Sequence, residues 1–236
     1  MTTRHKAVKA TLDKGYASEW NDDHHEDPSE ELTHICLVMG PAITDHWDTA
    51  QTAGGSAPAW SMTDNHAWVV LNTGATTDQV SSMRHKLNNS VSNITHPNDL
   101  PVLTLAMQVV QVHDAAGVAN SVVEFGFQDD SDALFTQNLH HALFRIYNGK
   151  VHAVTGDGAA ETETELADYN EFGVYRIEFT ATQVKFYVDD LTSAAATHTT
   201  HLPAADLTLK ASVRSKNNVD STIRLEGLSL MTLRKQ

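Results

Sequence analysis

Ala142-Leu143-Phe144-Arg145-Ile146-Tyr147, then Asn148-Gly149, then Lys150-Val151-His152-Ala153-Val154, is the stretch on which the fold turns. Asn-Gly supplies the two positive φ angles of a type I′ turn, and the flanking runs mix β-branched and aromatic residues, so a β-hairpin is expected. The next pair behaves alike. Val174 to Phe179 and Val184 to Val188 alternate apolar and polar residues around a turn at Thr180 to Gln183, with Asp189-Asp190 closing the second strand.

Outward from this centre the same pattern continues. Pro101 to Val112 reads as a long strand bounded by Pro and by turn residues from Asp114 to Gly117, and Val122 to Phe127 as another. Two more strands are expected near Leu207 to Val213 and Thr222 to Leu233. From Thr33 to Thr77 the chain is rich in Gly, Ala, Ser and Thr and fits short strands joined by loops, while Arg84 to Asn98 is polar. No apolar helical period is sustained anywhere, so the fold class is all-β: an antiparallel two-sheet β-sandwich spanning 32–236, with an irregular arm over 1–31.

Composition narrows function. The 236 residues suffice for one large sandwich. Asp and Glu number 30 against 16 Lys and Arg, a formal charge of −14 that disfavours nucleic acid and anionic membrane as partners and suits either a high-salt host or an ordinary acidic mesophilic protein. Cys36 is the single cysteine, which rules out an intrachain disulfide. The first forty residues lack the apolar run of a secretory signal, and no segment has the roughly 20 apolar residues of a membrane span, so folding in a reducing cytoplasm is expected. In the arm, Tyr16 and Trp20 stand among turn formers and are candidate anchors into a partner; folding back onto the domain is the alternative.

The run Gly173 to Phe179, a short turn, Val184 to Asp189, a Thr-rich stretch and His201-Leu202-Pro203 resembles the concanavalin A-like lectin/glucanase superfamily, as do Val123 to Phe127 and the Asn148-Gly149 hairpin. The resemblance covers roughly Thr33 to Arg234. It implies a jelly roll whose relatives bind sugars, cleave glycans or act as spacers. A second resemblance lies in His5-Lys6-Ala7 and Gly15 to His24, which is similar to the N-terminal segment of tail and fibre proteins of tailed viruses. It implies assembly into a virion in the host cytoplasm.

Against these expectations the chemistry is sparse. Family-16 glycoside hydrolases on this fold carry Glu-x-Asp-x-Glu on one strand; here Glu124 is followed by Gly126 and Gln128 where the other two acids would fall. Glu161, Glu163 and Glu165 alternate, but they follow Gly156-Asp157-Gly158-Ala159-Ala160 and read as a solvated acidic loop. Trp47, Trp60 and Trp68 are candidate sugar-stacking residues, with burial in the core as the competing role. None of the fourteen histidines matches a zinc motif. Asp129, Asp130 and Asp132, or Asp189 and Asp190, offer carboxylates for a structural calcium ion, with turn capping as the competing role.

The expected protein is therefore not an enzyme. It is a virion component (tail fibre, baseplate or head surface) held to other virion proteins by its arm, with a lectin-like domain contacting host glycans and with trimeric or higher self-association. The alternative is a free carbohydrate-binding protein or glycan hydrolase on the same fold.

Overall fold

A computed structural model describes residues 30–37, 47–51, 56–63, 66–85, 95–111, 122–131, 134–216 and 220–235. Tyr16, Trp20 and Asp132 lie outside the described residues. The strands are β1 (Glu30–Leu37), β2 (Trp47–Gln51), β3 (Ser56–Thr63), β4 (His66–Asn72), β5 (Val80–His85), β6 (Val102–Gln111), β7 (Val122–Gln128) and β8 (His140–Tyr147). They continue with β9 (Lys150–Asp157), β10 (Glu161–Asp168), β11 (Phe172–Phe179), β12 (Val184–Val188), β13 (Ala196–His198), β14 (Thr208–Arg214) and β15 (Thr222–Lys235). Helical structure among the described residues is one 3-10 turn at Pro97–Asp99.

The strands form two antiparallel sheets. One has eight strands in the order β13-β12-β11-β6-β15-β4-β3, with β1 also paired to β15; the other has seven, in the order β10-β9-β8-β7-β14-β5-β2. The hairpin at Asn148-Gly149 forms as expected, with φ of 52° and 73° at the two turn residues. Thr180 likewise closes the β11–β12 turn by donating its N–H to the Gln183 carbonyl.

Alternation along each strand sends one row of side chains between the sheets. Phe125 and Phe144 of the seven-stranded sheet meet Tyr175 and Phe186 of the other, with ring centroids 4.9 to 5.3 Å apart across the interface. Each such buried aromatic contributes about 1.5–3 kcal/mol relative to exposure, so this contact helps tie the layers together.

One sequence reading is corrected. Glu161 to Asp168 is not a loop but the edge strand β10, paired with β9 from Glu161↔Gly156 to Asp168↔Lys150. The turn before it is set by Gly158 at φ 87° and by the Asp157 carboxylate, which accepts the N–H groups of Ala159 and Ala160. Glu, Thr and Asp are poor guides to strands because an edge strand faces water and tolerates charge, which also blocks further pairing.

Candidate functional site

The same alternation that buries Val123, Phe125 and Phe127 leaves Glu124 on the outer face of β7. On β8, Ala142, Phe144 and Ile146 face inward while His141, Arg145 and Tyr147 face outward. Register then assembles a row: Glu124 stands opposite Arg145 on β8 and Ser212 on β14, and Arg145 stands opposite His152 on β9. Glu161 and Glu163 reach the row from β10.

Arg145 is the hub. Its Nε donates to Glu124 Oε1 at 2.7 Å, its Nη2 to Glu161 Oε1 at 3.0 Å, and its Nη1 to Glu163 Oε2 at 3.0 Å. Planar guanidinium donors suit such a fan of carboxylates. Burial works against the charge of Arg145, but Glu124 and Glu161 outweigh it and hold the guanidinium above the ordinary arginine range. Burial likewise works to raise Glu161, yet His141 and Arg145 prevail and its carboxyl titrates below the ordinary glutamate value.

Two histidines border the network. His141 is 1% exposed, and its Nε2 lies 2.9 Å from Glu161 Oε1. Gly156, opposite His141, makes the space: a Cβ there would stand 2.6 Å from the imidazole. His152 Nδ1 lies 3.0 Å from Glu163 Oε1, and its ring stacks on Tyr147 with centroids 4.2 Å apart. Burial prevails over Glu163 and holds His152 below the ordinary histidine value. The Tyr147 phenol donates to Glu163 at 2.6 Å, and burial followed by that carboxylate pushes its pKa up to about 12.

The loop between β7 and β8 crosses this face. Asp129 accepts the N–H groups of Ser131 and His140, Asp130 pairs with Arg84 at 3.0 Å, and Lys210 donates to the Ser131 carbonyl. Beyond residues 132–133, Phe135 donates its N–H to Glu124 Oε2 at 3.2 Å. On one side of the loop opens a cleft of about 290 Å³ lined by Glu124, Arg145, Tyr147, Glu163, Phe135 and Arg214, among others. On the other side lies one of about 280 Å³, lined by Asp48, Arg84, Leu134 and Lys210 with their neighbours.

The residues singled out in the sequence fall as follows. The sugar-stacking assignment is corrected for Trp47 and Trp68. Trp47 is 2% exposed, packed between the sheets against His85, and Trp68 is 7% exposed on β4, edge-on to Phe172. Trp60 is half-buried on β3, opposite the core residue Val69, so all three lie away from the cleft. Asp129 spends its carboxylate on backbone N–H groups and Asp130 on Arg84; Asp189 accepts from Val174 and Asn170 across the chain, and Asp190 caps a turn through the Thr192 N–H. Among the described residues no group of three or more His, Cys, Asp or Glu is placed to hold a metal ion.

Gly126 explains the broken acid pattern. Its φ is 143°, and a Cβ would stand 2.7 Å from the Ala142 carbonyl oxygen and 2.9 Å from Ile177 Cδ1. No carboxylate side chain fits there without moving β8. What sequence reading missed was Arg145 as a hub and Phe135 as a cleft wall; the alternation of Glu161 and Glu163 with an outward Arg on the hairpin was the available signal.

No protein-family model and no curated protein matches the chain. Solved structures do. The β-glucanase of Bacillus licheniformis superposes with a TM-score of 0.58 at 14% identity, over 87% of this chain and 98% of that one. The alginate lyase of a Corynebacterium species gives 0.56 at 11%, over 82% and 96%. The exoplasmic/lumenal domain of VIP36, in its Ca²⁺/Man3GlcNAc-bound form, gives 0.53 at 10%, over 80% and 84%. The likeness is one of fold: the chain has the concanavalin A-like jelly roll, which carries both glycan-degrading enzymes and glycan-bound domains.

Proposed function

We propose that the protein is a non-catalytic, lectin-like module that binds neutral glycans in the cleft of about 290 Å³ on the outer face of the seven-stranded sheet. The observation that carries this reading is the convergence of Glu124, Glu161 and Glu163 on one guanidinium. Glycoside hydrolysis needs a carboxyl kept protonated near neutral pH, whereas His141 and Arg145 hold Glu161 below the ordinary glutamate value. Elimination on a uronate needs a cation free to receive the sugar carboxylate, whereas Arg145 is engaged by three carboxylates already. The cleft wall sets two carboxylates, Glu124 and Glu163, against the two guanidinium groups of Arg145 and Arg214, so it offers no net positive charge to an anionic glycan.

Calorimetric titration with mixed-linkage β-glucan oligosaccharides, Man3GlcNAc and alginate oligomers, alongside a reducing-sugar assay, tests this. Binding of a neutral glycan without turnover is expected; turnover of any of the three would overturn it. From the resemblance of the arm we further propose that the module rides on a virus particle as an oligomer, attached by the arm of residues 1–31, whose last two residues open β1, and facing host glycans. The support is the sequence of that arm. Deleting residues 1–28, which leaves β1 whole, should prevent incorporation into particles; normal incorporation would refute the anchoring role.

A further inference from the structure

Phe135 stands in the β7–β8 loop with φ of 55°, a left-handed conformation that aromatic residues seldom adopt. Two groups rising from the sheet hold it there. Glu124 Oε2 accepts its N–H at 3.2 Å, and the Arg214 guanidinium sits 4.6 Å from the centroid of its ring. The backbone is thereby pinned and the ring seated on a cation, with its opposite face turned away from Arg214. That ring is part of the wall of the cleft that Tyr147, Gln137 and Glu163 also line. Strained residues persist where their surroundings over-determine them, and they concentrate at ligand clamps.

Resting on the glycan-binding reading, we propose that Phe135 is the stacking platform of the cleft and takes the apolar face of a neutral pyranose with equatorial hydroxyls, as in the glucosyl units of β-glucan. Such a sugar presents axial C–H groups on its faces and hydroxyls around its edge. The ring meets the first, and Gln137, Glu163 and the phenol of Tyr147 stand at the cleft wall to meet the second. Glu124 is then a positioning residue. It occupies the first place of a hydrolase-like acid pattern but spends Oε1 on Arg145 and Oε2 on the loop that presents the aromatic ring.

The test titrates the whole protein with a mixed-linkage β-glucan tetrasaccharide and follows the sugar protons by NMR. Wild type should bind with upfield ring-current shifts of the C–H protons. Phe135→Ala and Phe135→Leu should each weaken binding roughly tenfold or more, and the Leu variant, which keeps apolar bulk, should lose the shifts. Phe135→Trp should retain both. Glu124→Ala should weaken binding, and the Glu124→Ala/Phe135→Ala double variant should be no weaker than Phe135→Ala alone, as expected when one residue acts through the other. Wild-type binding with no upfield shift, or with affinity unchanged in Phe135→Leu, would overturn this inference while leaving glycan binding intact. Absence of wild-type binding to every neutral glycan would overturn the reading beneath it, and the inference with it.

Discussion

The outer faces of the two sheets arise from the same alternation of residues, yet they are built on opposite terms. On the eight-stranded sheet the polar groups join in simple pairs that are half-buried or exposed: Arg176 with Glu178 at 2.8 Å, and Gln108 with Glu171 at 3.2 Å and with Arg224 at 3.2 Å. Large apolar side chains, Phe172 at 48% exposure and Val110 at 42%, stand among them. On the seven-stranded sheet, Glu124, Gln128, His141, His152 and Lys210 are all buried, and one arginine joins carboxylates from two neighbouring elements. Exposed pairs contribute little to stability, whereas buried charges are costly unless every partner is in place. The face that carries that cost, with a strained aromatic beside it, is the one that holds the proposed glycan cleft.

Breaking the hub should separate the two faces most sharply. Arg145→Met leaves Glu124, Glu161 and Glu163 without their common cation, and a loss of about 3–5 kcal/mol in unfolding free energy is expected from denaturant titration at neutral pH. The matched change on the other sheet, Arg176→Met, should cost less, about 1 kcal/mol, because Glu178 is half-exposed and keeps the Tyr187 hydroxyl as a partner. Equal losses would show that burial does not distinguish the faces.

Gly126→Ala probes the backbone beneath the network. A Cβ at 2.7 Å from the Ala142 carbonyl oxygen must displace β8, so a loss of about 1–3 kcal/mol from overpacking is expected by thermal or chemical unfolding. Gly149, whose positive φ serves only a turn, should be felt less when replaced by Asn, which tolerates that conformation.

The pH dependence sharpens the comparison further. His198 lies buried at the junction of β9, β10 and β13, its Nδ1 2.9 Å from Thr155 Oγ1 and its Nε2 3.0 Å from Thr164 Oγ1. Burial holds its pKa below 6.5. The unfolded chain therefore takes up a proton near pH 6.5 that the folded chain refuses, and stability should fall as pH drops through that value. His198→Gln should flatten this part of the profile; an unchanged slope would reassign it to His152, which burial also depresses.

A smaller effect belongs to Glu161. Its carboxyl titrates below 4.5, so its stabilisation is present above the unfolded value and lost as pH falls through the folded one. Glu161→Gln should remove that acid-side decline while leaving the histidine step in place.

Much of this architecture was legible in the chain. The Asn148-Gly149 turn, the alternation in Val174 to Phe179 and Val184 to Val188, and the long apolar strand from Val102 are local signals, and each formed as expected. Single acids were legible too: Asp190 reads as a turn cap because its carboxylate accepts the Thr192 N–H two residues on, and one of the two N–H groups on Asp129, that of Ser131, is equally local. The Trp residues were not. Trp47, Trp60 and Trp68 look alike in sequence, and only their place relative to two layers tells a core ring from a surface one.

By itself the sequence determined an all-β sandwich, its central hairpins and the absence of a Glu-x-Asp-x-Glu strand, because period-two alternation and turn chemistry act over a few residues. Only the tertiary structure decided the site. Strand order pairs β14 with β7 and β5, roughly eighty and a hundred and thirty residues away along the chain, so that Arg214 comes beneath Phe135. It likewise turned a stretch that read as an acidic loop into an edge strand, which delivers Glu161 and Glu163 to Arg145. Alternation says which residues share a face; which loop covers that face, and which charges meet there, depends on register between distant strands.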